Sequence, residues 1–256
     1  MSDLFSLKGK TAVIMGGNST LARSIMEGFV EHGAKIASVV MKREFAAEVE
    51  EQMHAIGGEI KSFVADVTDL DSVQKAADDI QKWADSIDIL LYAPGLNSST
   101  PFLDLDMKEW DEIMAVNLRG CVATCQIFAK KMIEQGTGGS IINISSVSSG
   151  PPLSKVFTYS ASKAGINSIT QYLARELAPY NIRVNAIIPG FFPAEQNRKI
   201  LTDQRIADIM SHTPVKRFGE PKELKGVTVW LASEKASSYV TGSLVRVDGG
   251  FGAMTI

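Results

Sequence analysis

The chain has 256 residues, 45% of them hydrophobic, enough to bury the core of one large α/β domain. Its net charge of −3 and pI near 5.7 give no electrostatic reason to expect nucleic acid or an anionic membrane as a partner. No apolar run approaches the length of a membrane span, and Met1–Ser6 lacks the basic and apolar regions of a signal peptide, so the expected location is the cytoplasm.

Thr11–Met15 predicts a buried strand, followed by a helix through about residue 32. Lys35–Val40 predicts the next strand, ahead of a charged helix from about 43 to 56. Further strands are expected at Ile60–Ala65, Ile87–Tyr92, Ser140–Ile144, Arg183–Ile188 and Ser243–Val247, with long helices over about 106–135 and 156–178. Apolar strands separated by helices indicate a parallel sheet covered on both faces. The expected fold is therefore a single-domain α/β, Rossmann-type, doubly wound parallel sheet of about seven strands over residues 1–256, binding ligands at the carboxyl ends of its strands. Cys121 and Cys125, four apart in a predicted helix, suit apolar packing in a reducing compartment, and no metal site is expected. The segment from about 189 to 217 carries Pro, paired Phe and mixed charge, and is expected to form a lid over the substrate.

Tyr159 and Lys163 stand at i and i+4, with Ser146 thirteen residues upstream of the tyrosine. On a helix this spacing sets phenol and ammonium side by side. A neighbouring cation favours the phenolate, so Tyr159 is expected to be drawn down toward a useful proton-donor range. The bland reading of Asn117, a poor helix former, is a side chain bonded back to its own helix.

Along nearly its whole length the chain resembles the short-chain dehydrogenases/reductases. The resemblance is carried by Gly16 after the first strand, Asp66 after the third, and Gly95 after the fourth. It continues through Asn117 in Ala115-Val116-Asn117-Leu118-Arg119-Gly120, Ser146 after the fifth strand, Tyr159 with Lys163, Pro189-Gly190, and Val247-Asp248-Gly249-Gly250. It implies an oxidoreductase that interconverts a ketone and a secondary alcohol. Tyr159 would exchange the proton, Lys163 would lower the tyrosine's pKa and bind the nicotinamide ribose, and Ser146 would orient the substrate oxygen. Asn117 would hold a water linking Lys163 to solvent. Of the neighbouring serines, Ser145 competes with Ser146, while Ser148 and Ser149 read as loop residues; Ser148 is also kept as a substrate contact. The dinucleotide would lie on Gly16, Asn18, Ser19, Thr20, Leu21, Lys42, Arg43, Asp66, Val67, Ala93, Gly95, Tyr159, Lys163, Pro189, Gly190 and Phe192.

Three departures from the family pattern matter. Where the family has Thr-Gly-x-x-x-Gly-x-Gly, this chain reads Met15-Gly16-Gly17-Asn18-Ser19-Thr20-Leu21-Ala22, so Thr20 and Ala22 replace glycines that admit the pyrophosphate and pack the helix. The hydroxyls of Thr20 and Ser19, with Asn18, could instead donate to phosphate at the helix N-terminus. The second strand ends without the carboxylate of an NAD site and runs into Lys42 and Arg43, which favours NADP, with NAD second. Tyr92-Ala93-Pro94-Gly95 stands for Asn-Asn-Ala-Gly, so the strand-tying hydrogen bonds must differ here, and Ala194 stands where a Thr near the carboxamide is common.

Within the family the chain is similar to the mannonate oxidoreductase (fructuronate reductase) and gluconate 5-dehydrogenase branch, on Pro189–Arg198, His212-Thr213-Pro214, Arg217-Phe218-Gly219 and the opening Leu4–Lys10. The substrate expected is a sugar acid or polyol, with Arg198 as bidentate partner of a carboxylate and Phe191 beside it. Phe157, Phe191, Phe192 and Met210 leave open a reductase of apolar ketones, such as 3-oxoacyl thioesters or steroids. Thr20 and the missing ribose carboxylate leave open a dinucleotide-fold protein without turnover. The resemblance also implies a homotetramer that uses the two long helices and the C-terminal strand.

Overall fold

A computed structural model describes residues 3–192 and 202–254. Seven strands form one all-parallel sheet: β1 (Thr11–Met15), β2 (Lys35–Val40), β3 (Ile60–Val64), β4 (Ile89–Tyr92), β5 (Gly139–Ile144), β6 (Ile182–Pro189) and β7 (Leu244–Val247). Their order is β3-β2-β1-β4-β5-β6-β7. All five residues of β1 and all eight of β6 are buried, because helices cover both faces and leave no solvent side. The expected architecture is the observed one.

The longer helices among the described residues are, in chain order, α1 (Thr20–Glu31), α2 (Glu44–Ala55), α3 (Leu70–Trp83), α4 (Met107–Met114), α5 (Gly120–Gln135), α6 (Phe157–Leu177), α7 (Asp203–His212) and α8 (Lys225–Ala232). Side-chain oxygens of Ser19, Asp69, Asp106 and Thr202 cap α1, α3, α4 and α7, each accepting an otherwise unpaired N–H of the first turn. One apolar cluster joins β1, β4 and β5 to α3, α5 and α6; a second joins the opposite face to α1, α2 and α8.

Most boundaries fall within a residue of expectation, and two differences have a visible reason. The fourth strand starts at Ile89 rather than Ile87, because the Gln135 side chain takes both the N–H (2.8 Å) and the carbonyl (3.3 Å) of Ile87. The helix expected over 106–135 is split by a π turn at Ala115–Arg119, with Asn117 at its centre. The sheet order reverses at β1 and β4, so a crevice opens at the carboxyl ends of these strands.

Candidate active site

α6 carries a polar stripe at i, i+4, i+8 and i+11: Tyr159, Lys163, Asn167 and Thr170. Lys163 is 2% exposed, its Nζ donates to the carbonyl of Ile144 at the end of β5 (2.7 Å), and it lies 5.5 Å from the centroid of the Tyr159 ring. Burial pushes this ammonium down to about 8. Burial also pushes the Tyr159 phenol up, against a smaller downward pull from its hydrogen bond to the Ser146 hydroxyl. The expected depression of Tyr159 by Lys163 is thus not what the structure has: desolvation dominates, and the phenol is held as an acid.

Ser146 and Ser145 part company at the end of β5. Ser145 Oγ donates to Asn167 Oδ1 (2.6 Å) and faces the carbonyl of Lys163 (3.2 Å), so it ties the strand to α6. Ser146 Oγ accepts from the N–H (3.2 Å) and the hydroxyl (3.1 Å) of Ser148 and bonds to Tyr159. Ser148, expected against substrate, is 1% exposed with its hydroxyl directed at Ser146. Asn167 also donates to Ser149 Oγ (2.8 Å), which in turn donates to the carbonyl of Ser146 (2.6 Å). Asn167 therefore fixes the Ser146 turn on both sides. The sequence reading missed it, although its i+4 step beyond Lys163 was a usable signal.

Asn117 is fully buried and does not bond back to its own helix. Its Oδ1 accepts from the N–H of Leu96 (2.7 Å), and its Nδ2 donates to the carbonyl of Leu96 (2.9 Å) and to Ser162 Oγ (2.9 Å). Ser162 Oγ, also absent from the expected set, donates to the carbonyl of Tyr159 (2.7 Å). Gly95 lies between the two groups: a Cβ built there would stand 3.7 Å from Lys163 Nζ and 3.8 Å from Asn117 Oδ1.

The crevice beside this cluster fits a dinucleotide. Gly16 has φ of +73° and would bring a Cβ to 3.2 Å from the backbone of Pro94, so the turn out of β1 demands glycine. Thr20 is the first residue of α1 and exposed, as is the capping Ser19, leaving hydroxyls and N–H groups at a helix N-terminus suited to phosphate. Ala22, in place of the last glycine, is fully buried in the core without disturbing α1. Lys42 and Arg43 are exposed just past β2; Lys42 stands 3.7 Å from Glu44, and Arg43 has no ion-pair partner among the described residues. Asp66 and Val67 follow β3, where Asp66 Oδ1 accepts from the N–H and hydroxyl of Thr68 (2.8 and 2.7 Å). Asn18, Leu21, Ala93, Pro189 and Gly190 stand on the same strand-end rim.

On the substrate side, Phe191 packs edge-on against Phe251 (5.2 Å) and Phe192 against the second apolar cluster. Phe157 stacks with Phe102 and Trp110 at 5.2 and 5.6 Å. Phe191 and Phe192 line one cavity with Thr213, Val215 and Arg217, whereas Phe157 is engaged elsewhere with Phe102 and Trp110. Arg198 and Ala194 lie outside the described residues. Among the described residues no group of three or more His, Cys, Asp or Glu gathers as a metal site, and no helix is long and apolar enough to cross a membrane.

Comparison with known proteins shows the family. The family model described as enoyl-(acyl carrier protein) reductase matches residues 16–252. The 2-dehydro-3-deoxy-D-gluconate 5-dehydrogenase of Escherichia coli K12 is 36% identical over 248 residues, covering 96% of this chain and 97% of its own. A gluconate 5-dehydrogenase from Burkholderia cenocepacia, solved with NADP and tartrate, superposes with a TM-score of 0.94 at 31% identity, covering 99% of both chains. A candidate D-mannonate oxidoreductase from Haemophilus influenza, solved with NAD, gives 0.92 at 31% identity, over 98% of this chain and 97% of that one. The chain belongs to the short-chain dehydrogenase/reductase family and is an oxidoreductase.

Proposed function

We propose that the protein interconverts a keto group and a secondary alcohol on a sugar acid, with NADP preferred over NAD. The observation that carries the chemistry is the Ser146–Tyr159 hydrogen bond beside a buried Lys163 on one helix face. The dinucleotide supplies or accepts a hydride when bound. Ser146, steadied by Ser148, holds the substrate oxygen, and Tyr159 donates its proton there. Lys163 stabilises the phenolate that results, and the second lone pair of Asn117 Oδ1 holds a water above Gly95 through which the proton is replaced. A phenol held protonated suits reduction near neutral pH, while oxidation needs it deprotonated and gains from higher pH.

The exposed cations Lys42 and Arg43, with no carboxylate ending β2, support the choice of NADP. Arg198 is assigned to the substrate carboxylate. Relatives acting on gluconate and its deoxy derivative support the substrate class. The sugar-acid relatives weigh against an apolar ketone. Exposed apolar residues on and near α4, α5 and α6, among them Met107, Val122 and Phe157, support a homotetramer built on those helices, and a cytoplasmic setting accords with two free thiols. The test is initial-rate oxidation of NADPH and NADH with 5-keto-D-gluconate against an apolar cyclic ketone. Turnover confined to the apolar ketone would overturn the substrate assignment.

A further inference from the structure

Tyr92 occupies the last position of β4, where the resemblance leads one to expect a strand-tying asparagine, and it is fully buried. Its hydroxyl does not reach a neighbouring strand. It donates to the carbonyl of Val116, inside the π turn, at 2.5 Å. In an α-helix that carbonyl accepts from the N–H four residues on, which is Gly120. Here the Gly120 N–H reaches back five residues to Ala115 instead, and the phenol donates where Gly120 would have done.

Gly120 makes room for this. A Cβ there would lie 2.7 Å from the phenol oxygen and 3.0 Å from the carbonyl of Val67. Desolvation pushes the Tyr92 phenol far up, so it remains a donor at every working pH. Also on the sheet-facing side of α5, Cys121 and Cys125 face Asn143 Oδ1 at 3.5 and 3.7 Å, and Asn143 Nδ2 donates to Thr170 of α6 at 3.0 Å. Asn143 is the register partner of Tyr92 on β5. Two adjacent strand positions thus grip α5 from the sheet, one at the π turn and one along the following turns.

We propose that Tyr92 is a positioning residue for the reaction: its phenol, passing Gly120, holds the π turn in the form that presents Asn117 to Leu96 and Ser162. The inference rests on the reading that Asn117, Lys163 and Tyr159 act as one proton relay. It assigns to the hydroxyl a role that the ring alone cannot fill. A core-filling tyrosine would be replaced by phenylalanine at no cost in turnover.

The experiment compares Tyr92→Phe, Gly120→Ala and Asn117→Ala with wild type in NADPH-linked reduction of 5-keto-D-gluconate, reading kcat, both KM values and the pH profile of kcat. Tyr92→Phe is expected to lose about tenfold in kcat with KM for NADPH within about twofold, and to move the alkaline limb of the profile. Gly120→Ala, which displaces the phenol oxygen, is expected to share that defect, and the double variant to lose less than the product of the two single losses. Wild-type kcat and profile in Tyr92→Phe, with Asn117→Ala impaired, would overturn the inference while sparing the relay. Wild-type kcat in Asn117→Ala would overturn the relay itself, and this inference with it. Should Tyr92→Phe not fold, Gly120→Ala decides by the same readings.

Discussion

The floor of the site and its rim are held by different means. On the floor, Asn117, Ser145, Ser146, Lys163 and Asn167 are tied to β5, α6 and the loop after β4 by hydrogen bonds of 2.6–3.2 Å in low-dielectric surroundings. On the rim, Ser19 and Thr20 stand exposed at the start of α1, and Lys42 and Arg43 just past β2, with few partners in the chain. The contrast teaches where each property resides. Proton transfer needs groups held to a fraction of an ångström, and the proposed assignment puts it on buried scaffold. The same assignment gives choice of dinucleotide to accessible, exchangeable groups where solvent reaches.

Several changes sharpen or break this contrast. The largest effect is expected at the floor: Tyr159→Phe should cost about 10²–10⁴ in kcat with dinucleotide binding retained by fluorescence titration. Near-wild-type turnover would remove Tyr159 from the chemistry. At the rim, replacing Lys42 and Arg43 together by Ala should raise KM for NADPH about ten- to a hundredfold and leave KM for NADH nearly unchanged, as loss of charge-assisted bonds to one phosphate predicts. Equal changes for both cofactors would refute the 2′-phosphate assignment.

Asn167→Ala leaves Ser145 and Ser149 without their partner, and should lower thermal stability by about 1–3 kcal/mol as well as kcat by about tenfold. A loss of stability with full activity would reduce Asn167 to scaffold. Arg198→Ala should raise KM several-fold for a carboxylate substrate and spare a neutral polyol; equal effects would sink that role. The gentlest test is pH. Lys163 has a folded pKa lowered to about 8, so it is charged below that value and neutral above it. Reductive kcat should hold level at lower pH and fall as pH rises through about 8. A level profile through pH 9.5 would contradict a working role for the charged lysine.

The same division governs what could be read from the chain. The sheet was legible because most of its strands are near-continuous apolar runs, whereas Tyr159, Lys163 and Ser146 were singled out by the resemblance, since an i, i+4 pair alone is common on helices. What escaped were partners brought together only by folding. Asn167 looks like any polar residue on a helix until Ser145 and Ser149 meet it. The π turn was invisible, since nothing local in Ala115–Arg119 distinguishes it from an α-helix; Tyr92, more than twenty residues away in sequence, bonds to it. The direction of the Tyr159 shift was misjudged for a related reason. The i+4 spacing announces a neighbouring charge, but desolvation depends on everything packed around the phenol.

The most direct measurement is single-turnover reduction of 5-keto-D-gluconate by the NADPH-loaded protein, wild type beside Tyr159→Phe. The account predicts stoichiometric NADPH oxidation by the wild type, and binding without oxidation by the variant. Oxidation at equal rates in both, or no oxidation by a wild type that binds NADPH, would contradict it.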